Sequence, residues 1–216
     1  PSAETIMSDY SAEVIKIEPQ SGDSLRNLIV NGRMPEGKEN YCWELTSRNK
    51  KSISLNLKDD VAHKILVDLI KSADVFITNM PFPIREKLKI TAQDVRPHNS
   101  KIIYASLTGY GEVGPDADRT AYDSMAWWAR SGLMDFVRPS EKSSVAWSTP
   151  GMGDHPTGMA LYGAIMTVST ALFLKFNFFF FGSVLSWLKA CCNSGPRRVR
   201  RPPLFVATSE SLVAVF

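Results

Sequence analysis

Length, composition and charge place this chain among ordinary globular proteins. It has 216 residues, of which 44% are hydrophobic and 22% are charged, a composition that excludes a disordered chain and suits one domain or slightly more. The net charge is +3, but residues 177–216 hold five Lys or Arg against Glu210 alone, a balance of +4, which leaves −1 for the rest. Basicity confined to one end does not predict a nucleic-acid partner.

Cysteine and histidine are scarce, and their positions are Cys42, Cys191, Cys192, His63, His98 and His155. This number and spacing suit neither a disulfide framework nor a metal site. We therefore expect no bound metal and a reducing compartment, the cytoplasm, with the mitochondrion or peroxisome as alternatives in a eukaryote. No basic leader or apolar signal core follows Pro1. Residues 171–188 are apolar, but Lys175 and Asn177 interrupt them, so we do not expect a membrane span.

Hydrophobic periodicity predicts an α/β protein built from strand–helix–strand units. The predicted elements are, in chain order, a helix over residues 2–10, a strand over 13–18, a polar loop over 31–40, a strand through Ile53, Leu55 and Leu57, a helix over 59–71, a strand over 74–78, a short helix from Ile84, a capped helix start over 91–94, a strand over 101–107 and a helix over 121–133. Parallel sheets bind ligands beyond the carboxyl ends of their strands, so the loops there are the first places to look for a site.

A glycine-rich loop over residues 108–115 follows the last of these strands. Gly109, Gly111 and Gly114 have the G-x-G-x-x-G spacing of dinucleotide-binding loops. Pro115 and acidic residues come next where such a loop would open a helix. The spacing therefore does not predict a nucleotide site.

Asp154 is the candidate nucleophile. It stands in residues 150–158, after Gly151 and Gly153 and before a run of apolar residues at helical spacing, with Pro156 where a first helical turn tolerates proline. The amides and dipole of a helix N-terminus favour a carboxylate, and the glycines let a ligand approach the backbone. Taken alone, such an aspartate is more often a structural helix cap, so both interpretations remain open.

Several further motifs occur in order along residues 1 to about 175. They are residues 12–18 with Gly22, Asp23 and Arg26; residues 49–53 with Leu55, Leu57 and Lys58; residues 73–76 with Asn79; residues 103–106 with Gly109, Tyr110, Gly111, Gly114 and Pro115; Tyr122 with Asp123; and Gly153 with Asp154. In this order they resemble the class III CoA-transferases, which include formyl-CoA transferase and CaiB/BaiF-like proteins and share a fold with the α-methylacyl-CoA racemases.

The resemblance implies a Rossmann-like parallel sheet, incomplete at both ends, that covers roughly the first half of a family member. Residues 1–175 are then the N-terminal part of the CoA-transferase domain. Residues 176–216 match nothing in the family, and we expect an out-of-frame or unspliced end, with a genuine tail as the alternative. Because the Phe-rich run and the arginine cluster follow no strand pattern, we expect this tail to add no strand to the sheet.

The resemblance also implies a function, the transfer of CoA from an acyl-CoA to a carboxylic acid. Asp154 matches the family's catalytic aspartate, which forms acyl-anhydride and aspartyl-CoA thioester intermediates in turn. CoA and acyl-CoA enter as substrates, and no permanently bound cofactor is expected. Family members form interlocked homodimers, which we expect here for a full-length chain. The positions that resemble the CoA-binding groove are Leu55, Lys58, Asn79, Met80 and Lys87.

Tyr122 separates the transferase interpretation from that of a racemase. The racemases place a histidine there as one of two bases, and tyrosine, with an ordinary pKa near 10, is a poor base at neutral pH. We therefore expect Tyr122 to contact substrate, and His155 remains a possible substitute base.

The chain departs from the family turn at residues 79–83, and Lys89 stands where the family has glycine. A third possibility is a fragment without catalytic activity.

Overall fold

The computed structural model describes residues 1–31, 37–187 and 212–215. Its helices are α1 (Ser2–Asp9), α2 (Tyr41–Ser47), α3 (Asp60–Ser72), α4 (Phe82–Lys87), α5 (Ala92–Val95), α6 (Leu133–Phe136) and α7 (Asp154–Trp187), with a 3₁₀ helix at Ser24–Asn31 and a π-helix at Asp123–Ala129. Its strands are β1 (Val14–Glu18), β2 (Lys50–Ser54), β3 (Val75–Thr78), β4 (Ile103–Ser106) and β5 (Leu212–Val215). They form one sheet in the order β2-β1-β5-β3-β4.

The predicted α/β architecture is confirmed in the first half of the chain. β1 pairs in parallel with β2, and β3 pairs in parallel with β4. Between them, α3 begins where the Asp59 side chain accepts the Val61 backbone amide at 2.8 Å, and its buried residues Ala62, Leu66 and Ile70 form one apolar stripe. Every residue of β3 is buried, as expected for a strand covered on both faces.

Several elements differ from the prediction. β2 ends at Ser54, and the Leu55 amide donates to the Glu18 carbonyl at 2.9 Å before the chain turns, so the apolar alternation at Leu55 and Leu57 reflects packing beyond the strand. α2 was not predicted; the Asn40 side chain caps it by accepting the Trp43 amide. The predicted helix over residues 121–133 is the π-helix followed by α6, separated at Gly132, which has φ +83°.

The prediction that the tail adds no strand is wrong. β5 lies between β1 and β3 and pairs antiparallel with both. The backbone amides and carbonyls on the facing edges of β1 and β3 need hydrogen-bond partners. A short extended segment between these two strands supplies the partners whether it runs parallel or antiparallel to them. The aromatic run and the arginine cluster, on which the prediction relied, precede residues 212–215 and do not decide how those four residues pair. The division at residue 175 stays a prediction.

α7 extends past residue 176, near which we expect family sequence to end, and a continuous helix does not test that expectation. The helix continues without interruption to Trp187. A helix that is hydrophobic all round shows no amphipathic period, so the lack of periodicity in residues 177–187 was not evidence against a helix there. Within the described residues, one stretch, Asp154–Leu174 of α7, is long and apolar enough by composition to cross a membrane. Core helices of soluble proteins meet the same test, which makes it weak evidence.

α7 packs against α1 through a close backbone approach. A Cβ atom at Gly158 would lie 2.5 Å from the Ser2 Cβ, closer than two carbon atoms can pack, so the contact requires glycine. Further along the pair, Tyr10 stacks on Tyr162 with ring centroids 6.3 Å apart, and Ile165 is buried in the core. The start of α7 is thereby held against the N-terminal helix.

We predict that proline at Val213 destabilises the sheet. Val213 is paired with Lys16 in β1 and with Ile77 in β3. Proline removes the backbone amide in a strand flanked on both sides, and each buried carbonyl left without a donor costs about 1 to 3 kcal/mol. Urea denaturation should show Val213→Pro below the unaltered protein by that amount, whereas Val213→Thr, which keeps the amide and the β-branch, should differ far less. Equal stability of Val213→Pro would show that β5 is not part of the folded sheet.

Candidate active site

A cleft of about 240 Å³ lies beyond the carboxyl ends of β1, β2 and β3. This is where parallel α/β sheets bind ligands. Its lining residues are Ile17, Glu18, Pro19, Gln20, Leu55, Asn56, Leu57, Lys58, Met80 and Leu88. Leu55, Lys58 and Met80, which resemblance placed in a CoA groove, therefore share one cavity.

The other two predicted groove residues stand next to that lining. Asn79 directly precedes Met80 and is half-buried, and Lys87 directly precedes Leu88 and is exposed. Lys58 is exposed at the mouth of the cleft. Sequence reasoning missed Pro19 and Gln20, which follow β1. The rule that ligands gather after the strands of a parallel sheet was the signal for them.

Asp154 is the first residue of α7, as predicted, and its side chain is exposed. Its pKa is raised above the ordinary value, chiefly because neighbouring atoms displace water and secondly because Asp123 is a like charge. The amino group of Pro1 and His155 act in the opposite direction. Asp154 is therefore a more basic carboxylate than an ordinary surface aspartate. It does not belong to the lining of the cleft.

Asp123 holds the loop that leads into α7. Its Oδ2 accepts the Gly151 amide at 2.8 Å and the Gly153 amide at 3.4 Å, while its Oδ1 accepts the Ser124 amide at 2.7 Å. The sequence placed Asp123 in a family motif without a role. The available sequence signal for this role was that Asp123 stands in a family motif and that glycines follow it 28 and 30 residues later.

Gly153 is enclosed by the π-helix. A Cβ atom there would lie 2.7 Å from the Cβ of Trp127 and 3.0 Å from the Cβ of Asp123, so any side chain would push the loop away. The glycine expected to let a ligand approach therefore also lets the π-helix approach. This contact fixes the residue that directly precedes Asp154.

Tyr122 and His155 flank this region. Tyr122 has 66% of its surface exposed and directly precedes Asp123. The Nδ1 of His155 lies 3.0 Å from the Oγ of Ser2, which occupies one ring nitrogen. Its Nε2 faces the backbone of Gly151, where an added Cβ would be 3.4 Å away. Nδ1 thus has a hydrogen-bonding neighbour within the protein, the hydroxyl of Ser2.

The glycine-rich loop after β4 is anchored by an ion pair. Nη2 of the buried Arg85 lies 2.6 Å from a carboxylate oxygen of Glu112. Partial burial raises the pKa of Glu112, but hydrogen bonds from Ser106 and Arg85 and the Arg85 charge lower it overall. Gly111 and Gly114 have positive φ, and turns rather than a helix follow Pro115. The loop therefore lacks the helix N-terminus of a dinucleotide site. Across residues 1–31, 37–187 and 212–215, no group of three or more His, Cys, Asp or Glu is arranged to hold a metal ion.

Comparison with known proteins decides the family. The model of "CoA-transferase family III" matches residues 1–172 of this chain. The chain belongs to CoA-transferase family III. The resemblance inferred from the motifs is thereby confirmed, and the matched residues contain both the cleft and Asp154.

Relatives and solved structures agree with this assignment. The chain is 38% identical to the cinnamoyl-CoA:phenyllactate CoA-transferase of Clostridium sporogenes over 163 residues, which are 74% of this chain and 39% of that protein. It is 38% identical to the human succinyl-CoA:glutarate CoA-transferase over 169 residues, 77% of this chain and 37% of that protein. This family III chain thus spans about two-fifths of the length of these curated relatives.

Among solved structures, a hypothetical protein from Mycobacterium tuberculosis superposes with a TM-score of 0.68 at 27% identity, covering 77% of this chain and 45% of that one. A CaiB/BaiF family protein from Brucella suis superposes with a TM-score of 0.71 at 24% identity, covering 79% and 45%. The second likeness shows the fold alone.

We predict that neutralising Asp154 stabilises this family III chain near pH 7. A raised pKa means that the folded state binds the proton more tightly than the unfolded state, so the ionised carboxylate costs stability at neutral pH. Asp154→Asn should therefore raise the free energy of unfolding at pH 7. The gain should shrink as the pH falls through the raised pKa and vanish below the ordinary value of 3.8.

Urea denaturation across pH 3 to 8 measures this effect, with Asp116→Asn as the control. Hydrogen bonds from Arg119 and Arg130 lower the pKa of Asp116, so neutralising that residue should change stability in the opposite direction. A loss of stability in Asp154→Asn at pH 7 would make Asp154 a helix-stabilising charge and contradict the prediction.

Proposed function

We propose that this chain carries the nucleophile and part of the CoA site of an acyl-CoA:carboxylate CoA-transferase, with Asp154 as the nucleophile. The observation that carries the proposal is an exposed carboxylate of raised pKa at the first position of α7, directly after a glycine that excludes any side chain. Family membership supports it, since the named relatives are CoA-transferases.

The reaction consists of four acyl transfers at the Asp154 carboxyl group. The carboxylate attacks the thioester carbonyl of the acyl-CoA, the C–S bond breaks, and CoA thiolate leaves behind an acyl-aspartyl anhydride. The thiolate then attacks the aspartyl carbonyl and releases the donor acid as its carboxylate. The acceptor carboxylate attacks the resulting aspartyl-CoA thioester and expels the thiolate. Attack of the thiolate on the acceptor carbonyl forms the new acyl-CoA and regenerates Asp154.

The raised pKa suits the first of these steps. A raised pKa makes the ionised carboxylate more basic, and a more basic carboxylate is a better nucleophile. No proton is gained or lost in the four steps, so the mechanism asks for no general base. Tyr122, a poor base, fits a contact with substrate, whereas the racemase alternative requires a base at that position.

The cleft is our proposed site for part of the CoA molecule. Leu55, Met80 and Leu88 supply apolar walls, and the Lys58 ammonium stands at the mouth, where it would meet a phosphate. Lys87 and Asn79 adjoin this lining and would extend the contact. We further propose the interlocked homodimer and a cytoplasmic location, the latter because the cysteine content suits a reducing compartment.

We predict that acyl-CoA labels Asp154 covalently. Incubation of the chain with an acyl-CoA and then hydroxylamine should convert Asp154 to a hydroxamate, which peptide mass spectrometry detects as a mass increase. Asp154→Ala should abolish the label and any transfer, because no carboxylate remains to form the anhydride. Asp116→Ala, which removes a half-buried carboxylate on another loop, serves as the control.

Labelling of Asp116 and Asp154 to the same extent would show general reactivity of carboxylates and contradict the proposal. An unlabelled Asp154 in a chain that binds acyl-CoA would favour the fragment without catalytic activity. Transfer that survives in Asp154→Ala would leave this residue the role of a helix cap.

We predict that reversing the charge of Lys58 weakens CoA binding. A lost charge-assisted hydrogen bond to phosphate is worth about 1.5 to 3 kcal/mol, so Lys58→Glu should raise the Kd for CoA about tenfold or more in isothermal titration calorimetry. Lys64→Glu makes the same change at an exposed position of α3 outside the cleft lining. Equal weakening in both variants would indicate a non-specific effect of net charge and remove Lys58 from the site.

A further inference from the structure

The carboxylate of Asp123 connects two parts of the chain that are distant in sequence. It is half-buried at the start of the π-helix and accepts three backbone amides, one from its neighbour Ser124 and two from Gly151 and Gly153. The two glycine bonds span 28 and 30 residues. They bind the π-helix directly to the loop that delivers Asp154.

The same two glycines are also held from the side of α7. The carbonyl of Gly151 accepts the His155 amide at 3.2 Å, and the carbonyl of Gly153 accepts the Thr157 amide at 3.1 Å. Gly151 has φ +83°, so this turn has a conformation that other residues rarely adopt. Each glycine residue is thus held on both sides, by Asp123 at its amide and by α7 at its carbonyl.

We propose that Asp123 is a positioning residue for Asp154: by holding the amides of Gly151 and Gly153, it sets where the first turn of α7 presents the nucleophile. This inference rests on the proposed function, because positioning matters only if Asp154 reacts. A carboxylate that attacks a thioester must be held within a narrow range of distance and angle, and small displacements cost large factors in rate.

The position of Asp123 has an electrostatic consequence as well. Four influences act on Asp154: displacement of water by neighbouring atoms and the Asp123 carboxylate raise its pKa, and the amino group of Pro1 and the His155 side chain lower it. Asp123 therefore holds the loop and, by repulsion, makes the nucleophile more basic. A neutral hydrogen-bond acceptor at this position would preserve the first effect and lose the second.

Two variants of the full chain separate these effects without any turnover. Asp123→Asn keeps an acceptor oxygen for the glycine amides and removes the charge, while Asp123→Ala removes both. Hydrogen exchange followed by NMR reports the protection of the Gly151 and Gly153 amides, and the ¹³C shift of the Asp154 carboxyl reports its pKa. Asp116→Asn, on a neighbouring loop, is the control for loss of a negative charge.

We expect exchange at the two glycine amides to accelerate about tenfold or more in Asp123→Ala and to change by less than about threefold in Asp123→Asn and in the control. The titration midpoint of Asp154 should fall in both Asp123 variants and remain unchanged in the control. A far-ultraviolet circular dichroism spectrum equal to that of the unaltered protein confirms that each variant is folded. If the alanine variant unfolds, the titration of Asp154 in the asparagine variant still decides the test.

Exchange in Asp123→Ala that stays within twofold of the unaltered protein, or an Asp154 midpoint that does not move in Asp123→Asn, would overturn the inference. These readouts involve no acyl-CoA, so they are independent of the proposed function. If the hydroxylamine experiment leaves Asp154 unlabelled while exchange and titration behave as expected, the proposed function fails and the contact of Asp123 with the loop stands. If labelling succeeds and its rate is the same in Asp123→Asn and Asp123→Ala, the positioning role fails alone.

Discussion

Close backbone contact at the start of α7 is the constraint on which the candidate site depends. Gly153 touches the π-helix at Trp127, and Gly158 touches α1 at Ser2, in both cases at distances that leave no room for a Cβ atom. The first turn of α7 is therefore enclosed on two sides by parts of the chain that are remote in sequence. Asp154 lies between these two contacts, so its backbone has little freedom while its side chain remains exposed.

A network of charged side chains, most of them buried, supports the turn after β1 that lines the cleft. The Glu18 carboxylate accepts Nε and Nη2 of Arg26 at 2.8 and 2.9 Å and the Ser52 hydroxyl at 2.7 Å, and Lys16 pairs with Asp23. These bonds lower the pKa of Glu18 although its burial acts in the opposite direction. Because each buried charge has partners, the turn after β1 is held rigidly where it forms one wall of the cleft.

In this sheet, the local sequence pattern of a strand does not determine its partners or its direction. β1 and β3 belong to parallel pairs with β2 and β4, but the strand that joins them runs antiparallel. Continuity of the sheet brings the ends of β1 and β3 to the same edge, and the cleft includes residues that follow both. The cleft thus depends on four residues near the end of the chain that carried no motif.

Local sequence determined the elements whose signals are local. Asp59 caps α3, Thr91 and Asp94 form a capping box at α5, and the apolar strands β1, β3 and β4 were found where their alternation or continuous hydrophobicity predicted them. The position of Asp154 at the start of α7 was also readable, because glycines and a tolerated proline surround it. The family resemblance likewise named Leu55, Lys58 and Met80 together, and all three line the cleft, while their role in CoA binding stays a prediction.

Tertiary structure alone decided the features that depend on distant contacts. The place of β5 follows from the backbone groups that β1 and β3 leave to be paired, which no property of residues 212–215 reveals. The role of Asp123 required its Oδ2 to lie 2.8 Å from an amide 28 residues away. The raised pKa of Asp154 required neighbouring atoms that displace water, and the Asp123 carboxylate nearby. Hydrogen bonds and desolvation depend on positions in space, whereas periodicity reports only what neighbours along the chain share.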